Sequence, residues 1–214
     1  MVLPGRGFPE AAPLLGAEYS GWLLHDRVRW YYGFELAFHQ SCLGHLLRRC
    51  RDLVQVVSPS AARFPLQVRS MLEKALALRD RYEQGLISLH GLWMAAGRLE
   101  ARLDRLLARP YRTEANRRLA QHLRHEQPHL FTFLRCPGLE ATNNAAERAL
   151  RGVVIAREVW GGNHTWNGAR TQGILTSVLR TCWQQGQDAF ALLVGLLRSP
   201  AAQVLDIVPS GRSP

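Results

Sequence analysis

Lysine is almost missing from this 214-residue chain: Lys74 is the only one among 27 basic residues, and arginine supplies the rest. Long apolar runs are missing too. No stretch of about 18 apolar residues occurs, which excludes a membrane-spanning helix. The four cysteines (Cys42, Cys50, Cys136, Cys182) are scattered and form no CxxC pair. With no compact apolar export segment near the start, they are expected to be reduced thiols in a cytoplasmic protein. No G-x-S-x-G and no glycine-rich phosphate loop is present, so neither a serine-hydrolase elbow nor a P-loop is supported.

What is present is positive charge. The formal net charge is +10. Arginine stays charged and grips phosphate through two parallel hydrogen bonds, so a polyanion, nucleic acid first, is the partner this composition favours. A GC-rich genome would account for arginine over lysine, but not for the excess over Asp and Glu.

Residues 1–16 hold Pro4, Pro9 and Pro13 with Gly5, Gly7 and Gly16, and are expected to be a disordered leader. Tyr19 to Leu24 is a short apolar run that predicts a buried strand, with Asp26 just past its end. Phe38 to Val57 predicts a helix, with Leu43, Leu46, Leu47, Cys50 and Val54 at three- and four-residue spacing. From Arg69 to Leu107 the helical period is strong. Tyr82, Leu86, Leu89, Trp93, Ala96, Leu99, Leu103 and Leu106 form one stripe, read as a helix–helix seam, and the glycines at 85, 91 and 97 suggest a break into two helices.

Glu114 to Glu126 predicts a basic helix closed by Pro128, followed by an anchor of Phe131, Phe133 and Leu134 and a turn at Cys136-Pro137-Gly138. Asn144 is read as the N-cap of a helix carrying Glu147. Val153 to Trp160 fits strand or helix. After the loop Gly161-Gly162-Asn163, a helix is expected over Ala169 to Gln185 with Gly186 at C′. Asp188 then caps a last helix, Ala189 to Arg198, closed by Pro200. The fold class is mostly α with a small α/β remnant.

Thr142-Asn143-Asn144-Ala145-Ala146-Glu147-Arg148-Ala149-Leu150-Arg151 carries the most chemistry. Two readings of Glu147 stand. Asn144-x-x-Glu147 has the spacing of a capping box, in which the glutamate folds back on the cap amide. Alternatively Glu147 ligates Mg²⁺, beside phosphate contacts from Arg148, Arg151 and Arg157, and needs a second carboxylate from elsewhere. Asp26, at a strand end, is the best partner; a solvated loop aspartate is its plain alternative. Two such acids would hold a pair of ions roughly 4 Å apart for phosphodiester chemistry. His39-x2-Cys42-x2-His45 has the look of half a zinc site, but no second ligand cluster lies nearby, so packing or DNA contact is the simpler reading. Trp160, Trp166 and Trp183 are candidates for base stacking or for core anchors.

The Thr142–Arg151 block, followed by Gly161-Gly162-Asn163, Gly168-Ala169-Arg170 and Ser177-Val178-Leu179-Arg180-Thr181-Cys182, closely resembles the C-terminal part of insertion-sequence-66-type transposases. His39 to Arg49 resembles the segment that follows that family's second catalytic aspartate. The likeness runs from about Tyr19 to Leu197. It implies a DDE transposase with an incomplete ribonuclease-H-like core. Asp26 then matches the second acid and Glu147 the third, with Mg²⁺ as cofactor and DNA as substrate. Arg48, Arg49, Arg148, Arg151 and Arg157 are the expected DNA contacts.

The implied organisation is a leader (1–16), a partial catalytic core (17–60), a helical insertion (61–136), C-terminal core helices (137–200) and a tail (201–214). The family's first aspartate lies on an earlier strand that this chain does not contain, so a truncated transposase, inactive alone, is expected. The alternative is a non-catalytic, arginine-rich helical module that binds DNA or pairs with itself or with a full-length transposase.

Overall fold

The computed structural model describes residues 7–26 and 28–199; the expected closure at Pro200 and the tail lie outside the described residues. The chain divides into two compact units, one within residues 6–148 and one from 149 onward. Helix dominates, and the described strands are two short ones. No described helix is long and apolar enough to cross a membrane.

The first unit opens with α1 (Phe8–Leu15), inside the segment expected to be a disordered leader. Phe8 meets the fully buried Phe34 edge-on with ring centroids 4.9 Å apart, which gives that segment an apolar contact to fold against. Strand β1 (Trp22–His25) follows, shorter and later than the apolar run suggests. It pairs in parallel with β2 (Phe38–Ser41), in the register Trp22↔Phe38 to His25↔Ser41. A parallel pair needs a crossover of about a dozen residues, and residues 26–37 provide one through the 3₁₀ turn Arg29–Gly33.

The helix expected from Phe38 is therefore a strand for its first four residues, and α2 runs over Leu43–Val56. The reason is competition. Residues 38–41 hydrogen-bond to β1 before the helical stripe beginning at Leu43 can extend backwards.

Helix α3 (Pro59–Glu83) starts ten residues before the expected segment. Pro59 stands at its first position, where a missing N–H costs nothing. Pro65, inside the helix, cannot donate to the carbonyl of Ala61. That buried carbonyl is taken instead by Asn116 Nδ2 at 2.9 Å. Gly85, at φ +71°, ends the helix, and α4 (Leu89–Leu107) begins with Ser88 capping Gly91 N. The seam is real, and it departs from the expected stripe only at Leu86 and Trp93. Leu92, Ala96, Leu99, Leu103, Leu106 and Leu107 are buried, whereas Leu86 and Trp93 are exposed.

Helix α5 (Glu114–Glu126) has the expected bounds, and α6 (Thr132–Arg135) holds the buried Phe133 and Leu134. Helices α2 to α6 share one apolar core that includes Met71, Leu72, Leu103, Leu119 and Leu123. Helix α7 (Asn144–Trp160) settles Val153–Trp160 as helix.

In the second unit, α8 (Trp166–Gln184) ends in a Schellman motif. Gln187 N donates to Cys182 O at 2.8 Å, Gly186 N donates to Trp183 O at 3.2 Å, and Gly186 takes φ +67°. Asp188 Oδ1 accepts from Phe190 N and Ala191 N to start α9 (Ala189–Arg198). Many apolar side chains of this unit are exposed, among them Val159, Trp166, Trp183, Phe190 and Leu197.

Candidate active site at the C-terminal ends of the strands

The register puts the ends of β1 and β2 side by side, and Cys42 N donates to His25 O at 2.8 Å. Asp26 follows directly, exposed to solvent. On the neighbouring strand Cys42 opens α2, and its thiol reaches Asn143 Oδ1 at 2.9 Å. Leu43 N donates to Ala141 O at 2.9 Å. These bonds hold the segment that leads into α7 against the end of β2. One turn into α7, Glu147 N donates to Asn143 O at 2.9 Å, and the Glu147 carboxylate lies 3.6 Å from His45 Nε2 on α2. That carboxylate is 41% exposed.

The helix begins at Asn144 itself, so Asn143 occupies the cap position and Glu147 stands one place beyond the capping-box glutamate. Its carboxylate meets His45, and the cap amide reading does not hold.

The expected arginines fall in different places. Arg48 is exposed on α2, while Arg49 is half-buried with its guanidinium against His122 Nδ1 on α5. Arg148 is exposed on the first turn of α7; Arg151 and Arg157, also exposed, belong to the second unit. His39, Cys42 and His45 do not converge. His39 lies on β2 against His25, Cys42 bonds Asn143, and His45 faces Glu147. Among the described residues no group of three His, Cys, Asp or Glu side chains has the geometry to hold a metal ion.

Sequence reasoning missed a buried polar knot beneath the strands. Glu126, fully buried at the end of α5, accepts from Ser41 Oγ at 2.7 Å, from Tyr32 Oη at 2.9 Å and from His125 Nδ1 at 3.0 Å. Burial raises its pKa, but those hydrogen bonds outweigh it and hold the carboxyl below its ordinary value. Around it lie His25, His39 and His129. Burial, helped by the neighbouring His39, lowers His25 to about 4. Burial also lowers His39 and His129. Gln40, fully buried on β2, donates to Leu130 O at 3.2 Å and accepts from Phe133 N at 2.8 Å. This knot fixes the height of β2 against the helices, and so positions Asp26 and Cys42. A signal existed in the sequence: Asn116, Leu119, Leu123 and Glu126 share one helical face, and all four are buried. The two polar members of that stripe are the ones that make buried hydrogen bonds.

Residues 2–171 match the family model described as Transposase IS66 family. The match takes in the segment before Gly16, which the resemblance left aside, and stops before the Ser177–Cys182 block. Neither a curated protein nor a solved structure matches the chain. With well over half of its residues inside the match, the chain belongs to the IS66 family of transposases.

Proposed function

We propose that this chain forms part of the catalytic region of a DDE-type transposase, which in its intact form cleaves DNA at transposon ends and joins them to a target. Asp26 and Glu147 are two of its carboxylates. The observation that carries this reading is the tie between the end of β2 and the start of α7. The Cys42–Asn143 bond, at 2.9 Å, brings the helix bearing Glu147 to the sheet end at which Asp26 leaves β1. The acids are 121 positions apart in sequence, and this tie supports reading them as one pair.

The donor set fits Mg²⁺, which prefers hard carboxylate oxygens and completes its shell with water and phosphate oxygens. Both carboxylates retain solvent access, as such a shell requires. Bound there, the ion would polarise the phosphodiester and favour ionisation of an attacking water. The protein's part is to hold the acids and to steer the strand. His45 stands against Glu147 and restricts its rotamers, the knot around Glu126 fixes the sheet end, and Arg48 and Arg148 offer charge to the DNA backbone.

In this reading residues 17–60 and 137–200 are portions of a ribonuclease-H-like core, and 61–136 is a helical insertion between them. The parallel β1–β2 pair supports the core assignment, and the continuous α3–α4 hairpin supports the insertion.

Two carboxylates hold a divalent ion less firmly than three, so the 214-residue chain by itself is expected to give little or no strand transfer. Mn²⁺ binding followed by electron paramagnetic resonance tests the site. Asp26→Asn and Glu147→Gln should each weaken it at least as much as loss of an outer-shell partner does, roughly 10–100-fold. Binding that ignores both substitutions removes the shared site. Robust Mg²⁺-dependent end cleavage by the chain alone, abolished by Glu147→Gln, would overturn the expectation of inactivity.

The exposed apolar faces of α7 to α9 favour a second reading: a non-catalytic module that pairs with itself or with a longer transposase and binds DNA through arginine. DNA binding that is sensitive to salt, yet indifferent to EDTA and to Glu147→Gln, selects it.

A further inference from the structure

Between α2 and α3 runs a groove of about 460 Å³. One wall is α2, with Gly44, Leu47, Arg48 and Arg51; the other is α3, with Arg69 and Glu73; Asn144 closes the end at the first turn of α7. Three guanidinium groups face one carboxylate. Arg69 Nε already holds Glu73 Oε1 at 2.8 Å. Arg51 reaches Asp52 at 3.6 Å, with both side chains more than 60% exposed, a contact worth little in water. No carboxylate among the described residues pairs with Arg48.

We propose that this groove is a phosphate site that seats the DNA backbone at the start of the helix that bears Glu147, held by Arg48, Arg51 and Arg69 with Asn144 at its end. The proposal rests on the reading of the chain as part of a DNA-processing enzyme and adds where the strand lies. Arg48 and Arg51 are neighbours one helical turn apart, with Cβ atoms about 5–6 Å from each other, a spacing suited to successive phosphates of one strand. Guanidinium matches a phosphodiester better than ammonium does, because its planar fork donates two hydrogen bonds to one anion. Gly44 leaves the end of the groove open. A side chain there would first meet the Asn144 amide oxygen, 3.5 Å from the added Cβ. His45, the next residue, lies against Glu147 and is not in the groove wall; the groove's link to that carboxylate is Asn144, three residues before it at the start of α7. Arg49, adjacent to Arg48 in sequence, is committed to His122 and takes no part.

The test is anisotropy of a short fluorescein-labelled DNA duplex with the full 214-residue chain, titrated at several KCl concentrations. Each phosphate contact contributes about −0.9 to the slope of log affinity against log salt, so Arg48→Ala/Arg51→Ala should reduce that slope by about two and weaken binding roughly tenfold or more. Arg48→Lys/Arg51→Lys keeps the charges and should keep most of the slope. Arg105→Ala/Arg109→Ala, which removes the same charge from outside the groove, should leave both quantities near wild type. If the alanine pair in the groove behaves as wild type while wild type binds DNA, the groove serves another anion, such as a protein carboxylate, and the proposal falls while the DNA reading stands. Equal losses in the Arg105/Arg109 variant reduce the effect to net charge and also overturn it. A wild-type chain with no salt-sensitive DNA binding overturns the groove and the DNA reading together.

Discussion

Replacing Glu126 with alanine tests whether the polar knot holds the sheet to the helices. The carboxylate is fully buried and serves donors on three separate segments: Ser41 on β2, Tyr32 in the crossover and His125 beside it. Hydrogen bonds to a charged group contribute about 1.5–3 kcal/mol each, but they do not add, and removing the carboxylate also removes its burial cost. The buried Ser41 hydroxyl is left without its acceptor, at about 1–3 kcal/mol, and a small cavity opens. The net loss should be about 3 kcal/mol. For a chain of this size that corresponds to roughly 10 °C in melting temperature.

Glu126→Gln keeps the shape and one acceptor oxygen, and neutral bonds are about half as strong as charged ones, so about 1–2 kcal/mol should be lost. Urea denaturation followed by circular dichroism at pH 7.5 measures both variants. In a double-mutant cycle, Tyr32→Phe with Glu126→Gln should show a coupling of at least about 0.5 kcal/mol. If Glu126→Ala stays within about 0.5 kcal/mol of wild type, the knot does not fasten the sheet, and the account of how Asp26 and Cys42 are positioned fails with it.

Acid should weaken the same region. The imidazoles of His25, His39 and His129 are held below 6.5 in the fold, so the unfolded chain takes up protons first and stability falls as pH drops from about 6.5 towards 4. His25 alone, lowered to about 4, corresponds to a loss on the order of 3 kcal/mol at about 1.4 kcal/mol per pH unit. Glu126, also lowered, adds its loss below about pH 4.5. Urea midpoints that stay level between pH 7 and pH 5 would contradict the depressed imidazoles. Asn116→Leu should cost about 1–3 kcal/mol in the same assay, because the Ala61 carbonyl freed by Pro65 then has no donor; a neutral result would mean that water replaces the amide.

Much of the helical plan was legible in the sequence because it is local. The bounds of α5, the Gly85 break, the Gly186 C-terminus and the Asp188 cap each depend on residues within one or two turns. Most of the stripe on α4 was right, with Ala96, Leu99, Leu103 and Leu106 buried, but at its first turns Trp93 was chosen where Leu92 is buried, since a wide apolar face has no sharp centre until a partner helix selects one. Strand β2 was not legible. Its four residues read as the start of the helix behind them, and only the pairing with β1 makes them a strand.

The two acids were singled out from sequence, Asp26 by its place after an apolar run and Glu147 by its basic helix start. Nothing in the chain order tells which side chains stand beside them. His45 meeting Glu147, and Cys42 meeting Asn143 across 101 positions, are products of packing. The same holds for Glu126, which looks like one more charge on a basic helix until its neighbours are in place.

By itself, then, the sequence determined most of the helices beyond Leu43, several of their caps and breaks, the arginine-rich charge, and the motif blocks that mark the transposase family, since each is written in near-neighbour spacing or in residue type; α1, the first ten residues of α3 and the cap of α7 were not read from it. Tertiary structure alone decided that residues 38–41 are a strand, that Glu126 is buried and satisfied, that Arg48 and Arg49 serve different surroundings, and which residues flank Glu147. Those outcomes depend on pairing and desolvation between segments far apart along the chain, and such energies exist only once the segments have met.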